Sequence, residues 1–102
     1  MFSKSIKYSF NRELVFEDEF NNPIEKYPDW ITSLKFGKDF SQPVDNLPNS
    51  LIKLTFGCNF SQSVDNLPNS IVNLTFGSKF NKSVDYLPNS IKYLTFGFHF
   101  SQ

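Results

Sequence analysis

Apolar residues return at fixed places along this chain. Counting from Phe60, they fall at Val64, Leu67, Ile71, Leu74 and Phe76, separated by four, three, four, three and two residues. No single period covers that spacing until its end. There Leu74 and Phe76 alternate with Asn73 and Thr75, as side chains do along a strand. The same pattern predicts strands over 33–36, 53–56, 73–76 and 93–96. Pro48, Pro68 and Pro88 lie a few residues upstream and discourage a regular helix there. The Asn-Ser pair after each proline supplies turn chemistry. Gly57, Gly77 and Gly97 follow the strands directly, where a bend or a positive φ would suit glycine. Near the start, Ile6, Tyr8 and Phe10 alternate with Lys7 and Ser9. Asn11-Arg12 is placed to fold that strand back, antiparallel, onto Leu14-Val15-Phe16.

The pattern is a repeat. Phe20, Phe40, Phe60, Phe80 and Phe100 recur every 20 residues without slippage. Four full units start at Phe20, and Phe100-Ser101-Gln102 begins a fifth. Leu14-Val15-Phe16-Glu17-Asp18-Glu19 stands in register with Leu34-Lys35-Phe36-Gly37-Lys38-Asp39 and forms a half repeat. The organisation is therefore a capping hairpin with a half repeat over 1–19, then the repeats over 20–102. One unit, a strand with an irregular return, cannot bury its apolar side alone. Stacked units can, which predicts a mainly β solenoid with one parallel sheet. The expected core is Phe20, Ile24, Tyr27, Ile31, Leu34 and Phe36, with their equivalents at 20-residue steps.

Ile-x-x-Leu-x-Phe followed by Val-x-x-Leu-Pro resembles a short leucine-rich repeat. More specifically, FNNPI at 20–24 together with LPNSIxxLTFG resembles the FNIP repeat, a leucine-rich-repeat relative of amoebae and giant amoeba viruses. The likeness covers residues 14–102. It departs at Ser63 and Ser83, which replace Pro23 and Pro43, and at Tyr27-Pro28-Asp29-Trp30, which stands where later units have Leu-Pro-Asn-Ser. The resemblance implies a right-handed leucine-rich-repeat-like coil, its parallel sheet concave and its convex side irregular or 3-10. It also implies a role in protein interaction. Some members join the repeats to an F-box, but about 19 residues precede the first full unit here, too few for that module.

Composition sharpens the reading. There are 13 Phe among 18% aromatic residues and no Ala, which suits extended structure around an aromatic core. Ten basic residues balance ten acidic ones, so the long-range positive field of a nucleic-acid or membrane binder is not expected. The opening Met1-Phe2-Ser3-Lys4-Ser5 lacks the apolar stretch of a signal peptide, and Cys58 is a single cysteine. An intracellular, reducing setting is expected. His99 is the only histidine and Cys58 sits at a variable position, so no catalytic group, metal centre or cofactor site is expected. Asp45, Asp65 and Asp85 form a column that reads as a cation site or as turn caps, and Asp chemistry favours the caps. Asn49, Asn69 and Asn89 suggest an amide ladder. Thr55, Thr75 and Thr95 make a row too short to argue for ice binding.

Binding is expected where residues vary while their surroundings repeat. Ser33, Lys53, Asn73 and Tyr93 occupy one outward strand position, and Lys35, Thr55, Thr75 and Thr95 the next. Phe98 and His99 join them on the adjoining rim. A protein partner on this concave surface is the leading expectation. The alternative is self-assembly, as a homodimer, through the C-terminal coil, where Phe96, Phe98 and Phe100 cluster. The acidic run Glu17-Asp18-Glu19 would keep the opposite edge from pairing.

Overall fold

A computed structural model of the protein describes residues 5–97. Six strands lie side by side in chain order in one sheet: β1 (Ile6–Phe10), β2 (Glu13–Phe16), β3 (Ser33–Lys35), β4 (Lys53–Thr55), β5 (Asn73–Thr75) and β6 (Tyr93–Thr95). β2 to β6 are parallel, and the repeat sets their register. Leu14, Leu34, Leu54, Leu74 and Leu94 stand opposite one another along the sheet. Between strands the chain returns through turns and extended pieces, with neither α-helix nor 3-10 helix among the described residues. The chain is a β-solenoid whose returns opposite the sheet are irregular.

β1 pairs antiparallel with β2. The hairpin turns at Asn11 and Arg12, both with positive φ (54° and 66°), the signature of a type I′ turn whose twist matches that of the strands. The pairing slips between Ile6 and Tyr8, so Lys7 forms an irregularity at the free edge of the sheet. Such a kink blunts an edge that would otherwise accept another strand.

Phenylalanine builds the interior in two parallel columns. Phe16, Phe36, Phe56, Phe76 and Phe96 stack coil on coil with centroids 5.4–5.7 Å apart. Phe20, Phe40, Phe60 and Phe80 form the second column, 6.0–6.2 Å apart. Within the full coils the columns touch: Phe36 with Phe40, Phe56 with Phe60 and Phe76 with Phe80 stack at 3.7–3.8 Å. Each contact adds about 0.5–1.5 kcal/mol beyond area burial. Leu34, Leu54 and Leu74 with Ile31, Leu51 and Ile71 complete a core without buried charge among the described residues.

The core set needs two corrections. Phe20 is only half-buried, because the half repeat before it supplies Phe16 but no counterpart of Phe20 itself. In the last coil, Val84, Leu87, Ile91 and Phe96 are half-buried and Leu94 is exposed, although their equivalents in the middle coils are buried. Burial in a stack comes from both neighbours, and position in the repeat does not supply it.

The glycine column also works differently from the expectation. None of the glycines described has a positive φ. Instead the backbones nearly touch: a Cβ on Gly57 would run into the carbonyl oxygen of Gly37, and one on Gly77 into that of Gly57. A Cβ on Gly37 would lie 2.6 Å from the Glu17 carbonyl oxygen. Glycine is there for close approach between coils.

Polar side chains lace the coils together. Ser50, Ser70 and Ser90 hydroxyls donate to the carbonyls of Ile31, Leu51 and Ile71 in the preceding coil, at 2.6 and 2.7 Å for the first and last. At another corner Asn21 Oδ1 accepts the Ser41 N–H, Ser41 Oγ accepts that of Ser61, and Ser61 Oγ accepts that of Asn81, all within 2.9–3.2 Å. The ladder expected of Asn49, Asn69 and Asn89 therefore runs through other residues, while those three stay exposed.

Candidate functional site

Side chains at alternate strand positions face away from the core, and the parallel register lines them up across the sheet. Two rows result. One runs Glu13, Ser33, Lys53, Asn73, Tyr93, and the other Val15, Lys35, Thr55, Thr75, Thr95. The sequence-derived binding residues Ser33, Lys35, Lys53, Thr55, Asn73, Thr75, Tyr93 and Thr95 thus share one surface. Lys35, Lys53, Tyr93 and Thr95 are exposed, and the others half-buried. Phe98 and His99 lie outside the described residues, as does Phe100.

The hairpin enlarges this surface, which sequence reasoning had not included. Tyr8 pairs with Val15 and Phe10 with Glu13, so both aromatic rings join the outward rows. The Tyr8 hydroxyl donates to Glu13 Oε1 at 2.8 Å, and Ser33 Oγ donates to Oε2 at 3.0 Å. Those two donors hold the Glu13 carboxyl below the usual carboxylate range, helped by the positive charges of Lys53 and Lys35. The same bond pushes the Tyr8 hydroxyl up. The signal was present in the sequence as the alternation of Ile6, Tyr8 and Phe10. Its meaning depended on which side of the hairpin faced the core, and Ile6 packs there.

Beside the hairpin, Lys7, Lys35, Lys38 and Asp18 border an open recess of about 330 Å³. Asp18 is tied into the coil stack. Its carboxylate accepts the Lys38 N–H at 3.1 Å and its carbonyl accepts the Asp39 N–H at 2.9 Å. The acidic run thus bonds the half repeat to the first full coil as well as carrying charge.

The remaining candidates take structural places. Asp45, Asp65 and Asp85 are exposed. They do not cap turns as expected: among the described residues no backbone N–H donates to their carboxylates, while the Asp65 and Asp85 N–H groups donate to Ser63 and Ser83 Oγ at 3.3 and 3.1 Å, so serine supplies the acceptor. Asp45 Oδ1 receives the Asn66 amide at 3.3 Å. Cys58 Sγ lies 3.1 Å from Ser78 Oγ on the rim. Tyr27, which takes the leucine position in the first unit, packs edge-on to Phe36 with its hydroxyl buried and unpartnered. Burial pushes that hydroxyl's pKa up. Phe96 continues its own chain's stack against Phe76 at 5.5 Å.

A coiled stack with one parallel sheet, a laced polar frame and an outward face of varied residues defines a leucine-rich-repeat-like repeat protein. This class is commonly used for protein interaction. The FNIP repeat family model matches residues 20–59 and again 59–99, and the chain belongs to that family. Among solved structures, it is similar to the crystal structure of CroV588, described as a novel circular LRR protein structure. The two share 28% identity and a TM-score of 0.64, over 94% of this chain and 19% of that one. This chain therefore spans about one-fifth of that protein's length. No curated protein matches it.

Proposed function

We propose that the protein is a non-catalytic scaffold that binds another protein through the sheet face and its rim. The carrying observation is the division of polar residues. In the returns a serine ladder and a second row through Asn21, Ser41 and Ser61 are engaged from coil to coil. The polar residues on the sheet face, Lys35, Lys53 and Tyr93 above all, project to solvent. A lone free thiol, Cys58, suits action inside the cell. A photoreactive amino acid placed at Asn73 or Tyr93 should crosslink to a discrete partner in cell lysate, and the same group at Asp65 in the return should not. Equal crosslinking from both faces would sink this reading.

A second reading rests on the last coil. Leu94 is 40% exposed, while Leu34 and Leu54 are fully buried and Leu74 is 1% exposed. A surface shaped to receive a further coil fits association of two copies through this end, with Phe96 at its base. Light scattering decides it. A concentration-dependent dimer that Leu94→Asp abolishes, with the upstream coils still folded, supports association, and a strict monomer at high concentration removes it.

A further inference from the structure

The chain's charges balance overall, but they are not evenly spread over the fold. In the two outward rows the charged side chains are Glu13, Lys35 and Lys53. Both oxygens of Glu13 already accept hydrogen bonds, from Tyr8 and Ser33. Lys35 and Lys53 sit on adjacent strands, exposed, and interact with the Glu13 carboxylate through its field without a direct ion pair among the described residues. Asp45, Asp65 and Asp85 are carried by the returns instead. Glu13 stays ionised, so the two rows carry two positive charges against one negative, and the excess of one lies at Lys35 and Lys53.

It is also apolar at its borders. Phe10 (77% exposed) and Tyr93 (65%) stand at opposite ends of the same row, and Ile52 (46%) immediately precedes Lys53 at the entry to β4. Solvent-facing rings of this size flanking a charged centre are what binding hot spots are made from. From β1 to β6 there are five inter-strand steps of about 4.8 Å, roughly 24 Å in all, the length of about seven extended residues. Half-buried Asn73, Thr55 and Thr75 fill the space between with hydrogen-bonding groups.

We infer that the sheet face receives an extended acidic polypeptide segment of the partner, its carboxylates on Lys35 and Lys53 and an apolar side chain against Phe10 or Tyr93. This rests on the reading of the sheet face as a protein-binding surface and adds the chemistry of what it binds. A nucleic acid is disfavoured by the scale of the charge. Two lysines beside a carboxylate neutralise few phosphates, and phosphate contacts dominate such affinity.

Fluorescent peptides of roughly ten residues, slightly longer than the span, provide the probe. One alternates Glu or Asp with Leu or Phe, a second carries Lys in place of the acids, and a third carries Gln. A thymidine oligonucleotide of matched length is the fourth. Fluorescence anisotropy at low salt should show the acidic peptide binding at least about tenfold tighter than the other three. Amide shifts should map to β3, β4 and β5. Lys35→Glu with Lys53→Glu should reverse the preference towards the Lys peptide. Lys35→Gln with Lys53→Gln should abolish it, and Phe10→Ala should weaken binding severalfold without changing the charge preference. Matching thermal melts show that each variant folds.

No binding of the acidic peptide, equal binding of the Gln or Lys peptide, or equal binding of the oligonucleotide overturns the inference, as do shifts confined to the last coil. The two readings fail separately. A partner that still crosslinks at Asn73 or Tyr93 while the acidic peptide fails leaves the binding face standing and removes its acidic specificity. Loss of that crosslink removes both.

Discussion

At the scale of single residues, glycine and serine hold the coils at their spacing. Gly57 has backbone of the neighbouring coil where a Cβ would go, so Gly57→Ala forces two coils apart. The expected loss is about 1–3 kcal/mol, read from the urea midpoint, in line with other overpacked sites. An unchanged midpoint would mean that the coils have room to give. Glu13 makes a prediction about pH. Its carboxyl lies below the ordinary value, so its bonds to Tyr8 and Ser33 stabilise the fold above the unfolded pKa and are lost as pH falls through the folded one. The stability difference between the protein and Glu13→Gln should stay constant from neutrality to about pH 5, shrink as pH falls through the ordinary glutamate value of about 4.3, and disappear only below the depressed folded pKa. A difference that persists in acid would show that Glu13 acts through packing. Glycine was conspicuous in the sequence, but its purpose was not. Residue type shows what a backbone is free to do, while the distance between coils exists only once they stack.

Among the elements, the hairpin departs most from the repeat. Arg12 adopts a φ of 66°, a region costly to a residue with a Cβ and free to glycine. Among the described residues its side chain makes one bond, a long one of 3.4 Å to the Trp30 carbonyl. Its own carbonyl accepts the Thr32 and Ser33 N–H groups, and any residue can supply that. Arg12→Gly should therefore stabilise the protein by about 0.5–1 kcal/mol, seen as a higher melting temperature, since Asn-Gly is the preferred pair for this turn. A lower melting temperature would mean that the side chain contributes more than the backbone strain costs. The strand and the reversal at Asn11-Arg12 were both legible, but the alternation that put Ile6 on one face with Tyr8 and Phe10 was not kept. The slip at Lys7 was not legible, because it is a property of how the two strands pair, which turns Ile6 to the core while Tyr8 and Phe10 face outward.

For the whole molecule, stability follows position in the stack. Every interior coil is covered on both sides, and contacts between coils are with nearest neighbours, so the energetics approximate a one-dimensional chain. Leu54 and Leu94 occupy the same repeat position, one fully buried and the other exposed. Leu54→Ala should cost about 2–5 kcal/mol, and Leu94→Ala about 1 kcal/mol or less. Paired urea titrations test this directly, and equal losses would show that the last coil is covered in solution. Hydrogen exchange should fade from β4 towards β6 for the same reason.

The sequence by itself determined the repeat, the strand positions, the parallel register and the two phenylalanine columns. A period of 20 that never slips allows one way of stacking alike beside alike, and alternation around Leu74 and Phe76 assigns each side chain a face. Tertiary structure alone decided three other things: how closely glycine backbones meet, which polar side chains lace the coils, and how Tyr8 and Phe10 widen the outward surface. Each is a relation between segments, set by an inter-coil distance or a hairpin twist. The same limit applies to the sheet face. Its variable residues could be named from the chain, but the basic patch of Lys35 and Lys53, framed by Phe10 and Tyr93, exists because six strands lie in one sheet.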